Sequence, residues 1–342
     1  MTIIPQFKRS ALFTLLSLAS VAGLHAAPMT DPVGFVSLTI PANSDFHFTV
    51  PLVQPAQFVG TIQSASGNTI TVNQVNSLPN WTVNSFVYST GTQATTYYAL
   101  MASGTKEGMH CLITANGTNS LTVDLGGNSL TGITTGTNGD AIKVVPYWSL
   151  STLFTNFATP SLPDQTQVLT FNGVQGINTS ASTVYTYYAG YGWYNGGTPA
   201  NDVYVSPGQS MVIRNVSGSA FNLIVSANVP MNKQYALLST MAPNQPQDNP
   251  IGYLSPNPSL LGQVGLGLAD QDQLLVFDNT TSGFNKSATQ VITYFLGYGW
   301  YDGGTKVDST FQLQPAFGYI LRKAPTATPT SVLWQNKQDY LP

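Results

Sequence analysis

One stretch of 21 residues occurs twice in the chain. Residues 178–198 read NTSASTVYTYYAGYGWYNGGT and residues 285–305 read NKSATQVITYFLGYGWYDGGT, identical at 14 of 21 positions at a spacing of 107. The match continues upstream, where DQTQVLTFN from Asp164 resembles DQDQLLVFD from Asp270. It continues downstream, where PGQSMVIR from Pro207 resembles PAFGYILR from Pro315. A unit of about 50 to 60 residues is therefore present twice, too few copies for a solenoid. The pattern predicts a duplicated β domain or the two halves of one sandwich.

Each unit reads as short strands. Residues 184–188 and 291–295 are rich in the aromatic and β-branched side chains that suit a pleated surface. Asn195-Gly196-Gly197 and Asp302-Gly303-Gly304 accept positive φ and mark hairpin turns. Shorter apolar runs at 167–171, 273–277, 210–214 and 318–322 complete the set. The N-terminal third has its own weaker repeat: IQSASGNTITV from Ile62 resembles ITANGTNSLTV from Ile113. Further strands are expected at 85–88 and 141–145, and a helical turn within 147–154. No segment sustains an apolar period of 3.6 residues. The fold class expected is all-β, with a small barrel or sandwich followed by two duplicated units. Punctuation divides the chain into a signal peptide (1–26), an N-terminal β domain (27–155), a first unit (156–240), a linker (241–258) and a second unit (259–342). The linker is assigned on its five prolines.

Composition removes whole classes of function. Lys and Arg number 11 and Asp and Glu 14, so 7% of residues are charged, against about 25% in a typical domain. The net charge of −3 argues against a nucleic-acid surface, and the scarcity of Glu and Lys argues against helical bundles. Lys8 and Arg9, the apolar run 11–24 and the small pair Ala26-Ala27 form a secretory signal pattern, with cleavage expected near Ala26. No later stretch is long and apolar enough for a membrane-spanning helix. The expected location is therefore secreted or on the cell surface. Cys111 is the only cysteine and reads as a buried core residue.

Catalytic constellations are scarce. After the signal peptide only His47 and His110 remain as histidines, and no G-x-S-x-G elbow is present. His110 and Cys111 are adjacent in a strand and should face opposite ways. Asp164 and Asp270 precede equivalent strands and read as turn residues. The run Asp270-Gln271-Asp272 could contribute oxygen ligands to calcium, but the first unit has Thr166 where the second has Asp272. No metal, cofactor or catalytic residue is assigned, and the chain is expected to be non-enzymatic. Six Asn-x-Ser/Thr sites, at Asn80, Asn116, Asn178, Asn215, Asn279 and Asn285, follow from an Asn- and Thr-rich composition. Two features remain as candidates. Tyr191, Trp193 and Tyr194, with Tyr298, Trp300 and Tyr301, could offer aromatic rings to a sugar, or could simply pack across strands. The run holding Val33, Phe35, Val36, Leu38 and Ile40 could add itself to a neighbour's sheet edge, or complete its own domain. Few charges are available to guard such edges.

Several segments resemble landmarks of an uncharacterised family of secreted, repeat-containing β proteins of verrucomicrobial-type bacteria. They are TDPVGF from Thr30, GTKEG from Gly104, VPYWSL from Val145, LVFDN from Leu275 and ILRKA from Ile320. The resemblance implies export and supplies no catalytic residue. The expected function is that of an exported structural protein that self-associates through β edges into a filament, surface layer or matrix. The alternative is a carbohydrate-binding module using the Gly-Tyr-Gly-Trp-Tyr motif, with polysaccharide as partner.

Overall fold

A computed structural model describes residues 31–155, 162–171 and 175–341. The signal-peptide assignment lies outside them. The chain opens with β1 (Val33–Ile40) and β2 (Ser44–Thr49), then leaves to build a barrel. The barrel strands are β3 (Phe58–Ser66), β4 (Thr69–Val72), β5 (Tyr97–Met101), β6 (His110–Asn116), β7 (Ser120–Asp124) and β8 (Ala141–Pro146). They close in the order β3-β4-β7-β6-β5-β8. The weak N-terminal repeat is the pair of hairpins β3-β4 and β6-β7. Both carry a register shift at the same place, between Ile62 and Ser64 and between Ile113 and Ala115. A turn at 83–86 and a bend at 87 stand where a strand is expected at 85–88. Asn116 fixes that turn by accepting the Phe86 N–H at 2.9 Å.

After the barrel come β9 (Trp148–Ser149), the expected helical turn as α1 (Leu150–Thr155), and β10 (Gln167–Thr170). The first repeat follows as β11 (Thr183–Tyr188), β12 (Gly192–Asn195), β13 (Thr198–Pro199), β14 (Tyr204–Val205), β15 (Ser210–Asn215) and β16 (Phe221–Asn228). A six-stranded sheet runs β13-β12-β11-β10-β15-β2, and β1 pairs antiparallel with β16 as a separate ribbon. The apolar residues of ribbon and sheet share one core, including Leu38, Ile40, Phe48, Trp193, Ile213 and Leu223.

The rest of the chain repeats this plan. It comprises β17 (Gln234–Thr240), β18 (Gln247–Gly252), β19 (Ser259–Leu260), a 3-10 turn (Leu261–Gln263), β20 (Gln273–Val276), β21 (Gln290–Phe295), β22 (Gly299–Asp302), β23 (Thr305–Lys306), β24 (Gln312–Leu313), β25 (Gly318–Lys323) and β26 (Thr330–Asn336). Its sheet runs β18-β25-β20-β21-β22-β23, and β17 pairs with β26 as the ribbon. The duplicated unit is thus larger than the sequence similarity, and the barrel is an insertion between β2 and β9 of the first copy. Two expected boundaries change accordingly. β1 and β2 belong to the first sandwich and not to the N-terminal β domain. The proline-rich segment 241–258 is not a linker, because it contains β18. Pro250 is tolerated there because β18 is an edge strand, where a missing N–H need not remove a ladder bond.

The two copies meet with the same residues on both sides. Asp45 on β2 accepts two bonds from Arg214 on β15, at 2.7 and 2.8 Å. Its carboxylate also accepts the Asn285 N–H of the second copy at 2.6 Å, and Arg214 donates to Asn285 Oδ1 at 2.7 Å. Asp248, Arg322 and Asn178 repeat this in reverse, at 2.7 Å and 3.1 Å within the pair, 2.8 Å from the Asn178 N–H and 2.9 Å to its Oδ1. The first residue of each 21-residue repeat is therefore a clamp on the other copy. Both asparagines hold a positive φ, 52° and 51°, which Asn tolerates better than most residues. The packing between the copies is also close: a Cβ on Gly252 would collide with the Thr49 side chain.

Candidate functional site

The conspicuous shared motif forms a hairpin in each copy. β11 pairs with β12, placing Tyr187 opposite Trp193, and β21 pairs with β22, placing Tyr294 opposite Trp300. Alternation along the strand sends successive side chains to opposite faces. Trp193 and Trp300 point inward and are each 2% exposed. Trp193 lies against Phe154 and Tyr187, and Trp300 against Tyr294. As placed, the tryptophans are core residues and not ligand contacts. Tyr194 and Tyr301 occupy the outer face, edge-on to Tyr188 at 5.7 Å and to Phe295 at 5.6 Å. Tyr191 and Tyr298 stand at the hairpin tips, 77% and 70% exposed.

The tips owe their shape to flanking glycines. Gly190 and Gly192, like Gly297 and Gly299, adopt φ between 80° and 103°, a region that L side chains rarely enter. Asn201 accepts the Trp193 N–H at 2.9 Å, and Asp308 accepts the Trp300 N–H at 3.0 Å. Asp164 accepts the Ala189 N–H at 2.8 Å, and Asp270 accepts the Leu296 N–H at 2.9 Å. The repeated aspartates therefore hold the neighbouring hairpin rather than their own turn.

The candidate assembly strand divides in two. Leu38 and Ile40 are buried in the first core, and Val36 packs against it. Those three side chains serve their own domain. Val33 and Phe35 are each 72% exposed on the opposite face, with Ser37 and Thr39 exposed beside them. Among the described residues the backbone has one partner, β16. Val229 donates its N–H to Pro32 O at 2.7 Å, which fixes the alternation of an antiparallel pair. Gly34, Val36, Leu38 and Ile40 then point their N–H and C=O groups at β16. Val33, Phe35, Ser37 and Thr39 point theirs at the open edge.

The titratable groups are engaged structurally. Cys111 lies in the barrel core, and burial pushes its thiol up to about 12. His110 faces out of the barrel, edge-on to Tyr98. His47 stacks on Phe277 with ring centroids 3.6 Å apart, and its backbone is held twice by the Asn279 side chain. Burial lowers its pKa to about 4, against the pull of Asp45 and with help from Lys286. Asp272 is buried against Lys323 and also accepts the Ala269 and Ala324 N–H groups at 3.0 Å. Its position is that of a buried ion pair, and Thr166 and Asn215 occupy the equivalent places in the first copy. Each of the 14 acidic residues accepts a hydrogen bond or ion pair from within the chain. Among the described residues no three His, Cys, Asp or Glu side chains gather as a metal site, and no helix is long and apolar enough to cross a membrane.

Sequence reasoning missed the clamp of Asp45, Arg214 and Asn285 and its counterpart. The signal was present in the identical Asn178 and Asn285 and the aligned Arg214 and Arg322. It also missed a cleft of about 570 Å³ beside the barrel, lined by His110, Asn128, Phe171, Gln209, Gln234 and Leu237 among others. No protein-family model, curated protein or solved structure matches the chain.

Proposed function

We propose that this chain is an exported, non-catalytic structural subunit that self-associates through the open edge of β1. The supporting observation is that most other edges are guarded, whereas β1, like the far side of its partner β16 beyond Asn228, is not. The barrel strands close on themselves. β13 and β23 are two residues long and carry Pro199 and Lys306, common guards against edge pairing. β2 and β18 meet the opposite copy. Asn249 caps the open side of β17 by binding both the N–H and the C=O of Ser239. β1 offers eight regular residues with no charge, no proline and no bulge. A second β1 laid antiparallel beside it would continue the ladder from β16 through both strands. The signal pattern supports export.

Sedimentation velocity and electron microscopy of the mature chain test this reading. Oligomers or filaments are expected, and Ser37→Pro should return them to monomers. The Ser37 N–H faces the open edge, so the change removes no bond to β16. A chain that stays monomeric at high concentration, or that assembles equally well with Ser37→Pro, would overturn the proposal.

A further inference from the structure

The two copies form an internal comparison of one fold built from two sequences. Seven of the 14 identities of the 21-residue repeat have a clear structural reason. Asn178 and Asn285 clamp the opposite copy. Trp193 and Trp300 fill the two cores, and Tyr187 and Tyr294 line them. Gly190, Gly192, Gly196 and Gly197, with their four counterparts, hold positive φ. Tyr191 and Tyr298 are different. Each ring stands in solvent at its hairpin tip, and among the described residues it has no ring contact and no hydrogen bond from its hydroxyl. The fold needs no tyrosine at either place, and both copies have one.

A second group repeats at the base of each hairpin tip. Asp164 uses Oδ1 to hold the N–H of Ala189, and Asp270 uses Oδ1 to hold that of Leu296, each two residues before the tyrosine. Both aspartates are exposed, and among the described residues their second carboxylate oxygens have no hydrogen-bond partner. Each tip therefore pairs a bare aromatic face with a fixed, open hydroxyl acceptor. That combination suits a pyranose, whose C–H face stacks on an aromatic ring while its hydroxyls donate to a carboxylate. The carboxylates would repel an anionic chain.

We propose that the hairpin tips are two equivalent subsites for a neutral polysaccharide, Tyr191 with Asp164 and Tyr298 with Asp270. Two subsites on one chain give avidity for a polymer beyond that of either alone. This site is independent of the β1 edge, and either can fail without the other.

Native affinity electrophoresis through gels cast with soluble β-glucan, galactomannan, arabinoxylan or alginate tests the proposal. Retardation is expected in at least one neutral gel and not in alginate. Tyr191→Ala and Tyr298→Ala should each weaken it by about tenfold or more, and the double variant should abolish it. Tyr191→Phe, which keeps the ring, should bind as the parent does. Asp164→Ala with Asp270→Ala should weaken binding even where the thermal melt is unchanged. No retardation in any neutral gel, equal retardation in alginate, or full retardation of the double tyrosine variant would overturn the assignment.

Discussion

The buried pair of Asp272 and Lys323 makes a sharp prediction, because the chain contains its own neutral alternative. Lys323 is 2% exposed and Asp272 is 0% exposed. The first copy places Thr166 and Asn215 at the equivalent positions, both fully buried. There the Thr166 hydroxyl donates to Pro163 O at 2.8 Å, and Asn215 donates to Pro41 O and Ser219 O at 2.9 Å. Asp272→Thr alone leaves an ammonium group without a counter-ion in the core. Lys323→Asn alone leaves a carboxylate whose remaining partners are two backbone N–H groups. Stranding one member of a buried pair costs about 3–5 kcal/mol, whereas replacing both by neutral groups is often close to neutral. The double variant should therefore lie within about 2 kcal/mol of the parent, far from the sum of the singles. Urea denaturation of all four proteins gives the coupling energy, expected to be at least about 3 kcal/mol. Additive single effects, with a coupling below about 0.5 kcal/mol, would refute the view that the second copy uses its ion pair as a unit.

Three further outcomes follow from the same geometry. Arg214→Ala and Arg322→Ala should destabilise the chain by similar amounts, about 2–4 kcal/mol each, because each strands a nearly buried aspartate; urea midpoints that differ widely would show that the two clamps are not equivalent. Trp193→Ala and Trp300→Ala should each cost about 3–5 kcal/mol, read in the same titration, while leaving Tyr191 and Tyr298 in place. Acid should weaken the fold through His47. Its imidazole binds a proton near pH 6.5 when unfolded and only near pH 4 when folded, so its contribution is intact above 6.5, is lost between 6.5 and 4, and is constant below. The loss is about 3 kcal/mol, and the pH profile of His47→Gln should be flatter over that window.

The legible parts of the sequence were those where chemistry leaves little choice. The hairpin tips need glycine, the turn after β12 needs residues that accept positive φ, and the core needs Trp193 and Trp300, so the duplication was visible there. β1 and β17, or β2 and β18, were invisible as relatives, because a core position accepts Leu38 or Thr240 neighbours of many shapes and an edge accepts Pro250. The inserted barrel hid them further, since Asp45 and Asp248 lie 203 residues apart while Arg214 and Arg322 lie 108 apart. Proline density misread β18 as a linker because prolines suit edge strands as well as loops. Low charge suggested unguarded edges in general. In the fold the few charges serve as internal ties and selective guards, and β1 carries none of them. The exposure of Tyr191 could not be separated from that of Trp193 by alternation alone, because the tip residue lies outside the paired strands.

Residue-resolved amide hydrogen exchange of the purified protein, followed across concentration, tests the β1 reading most directly. Gly34, Val36 and Leu38 should be protected at every concentration, because their N–H groups face β16. Val33, Phe35, Ser37 and Thr39 should exchange quickly when dilute and become protected as assembly proceeds. Continued fast exchange of those four amides in an assembled sample would contradict edge pairing through β1.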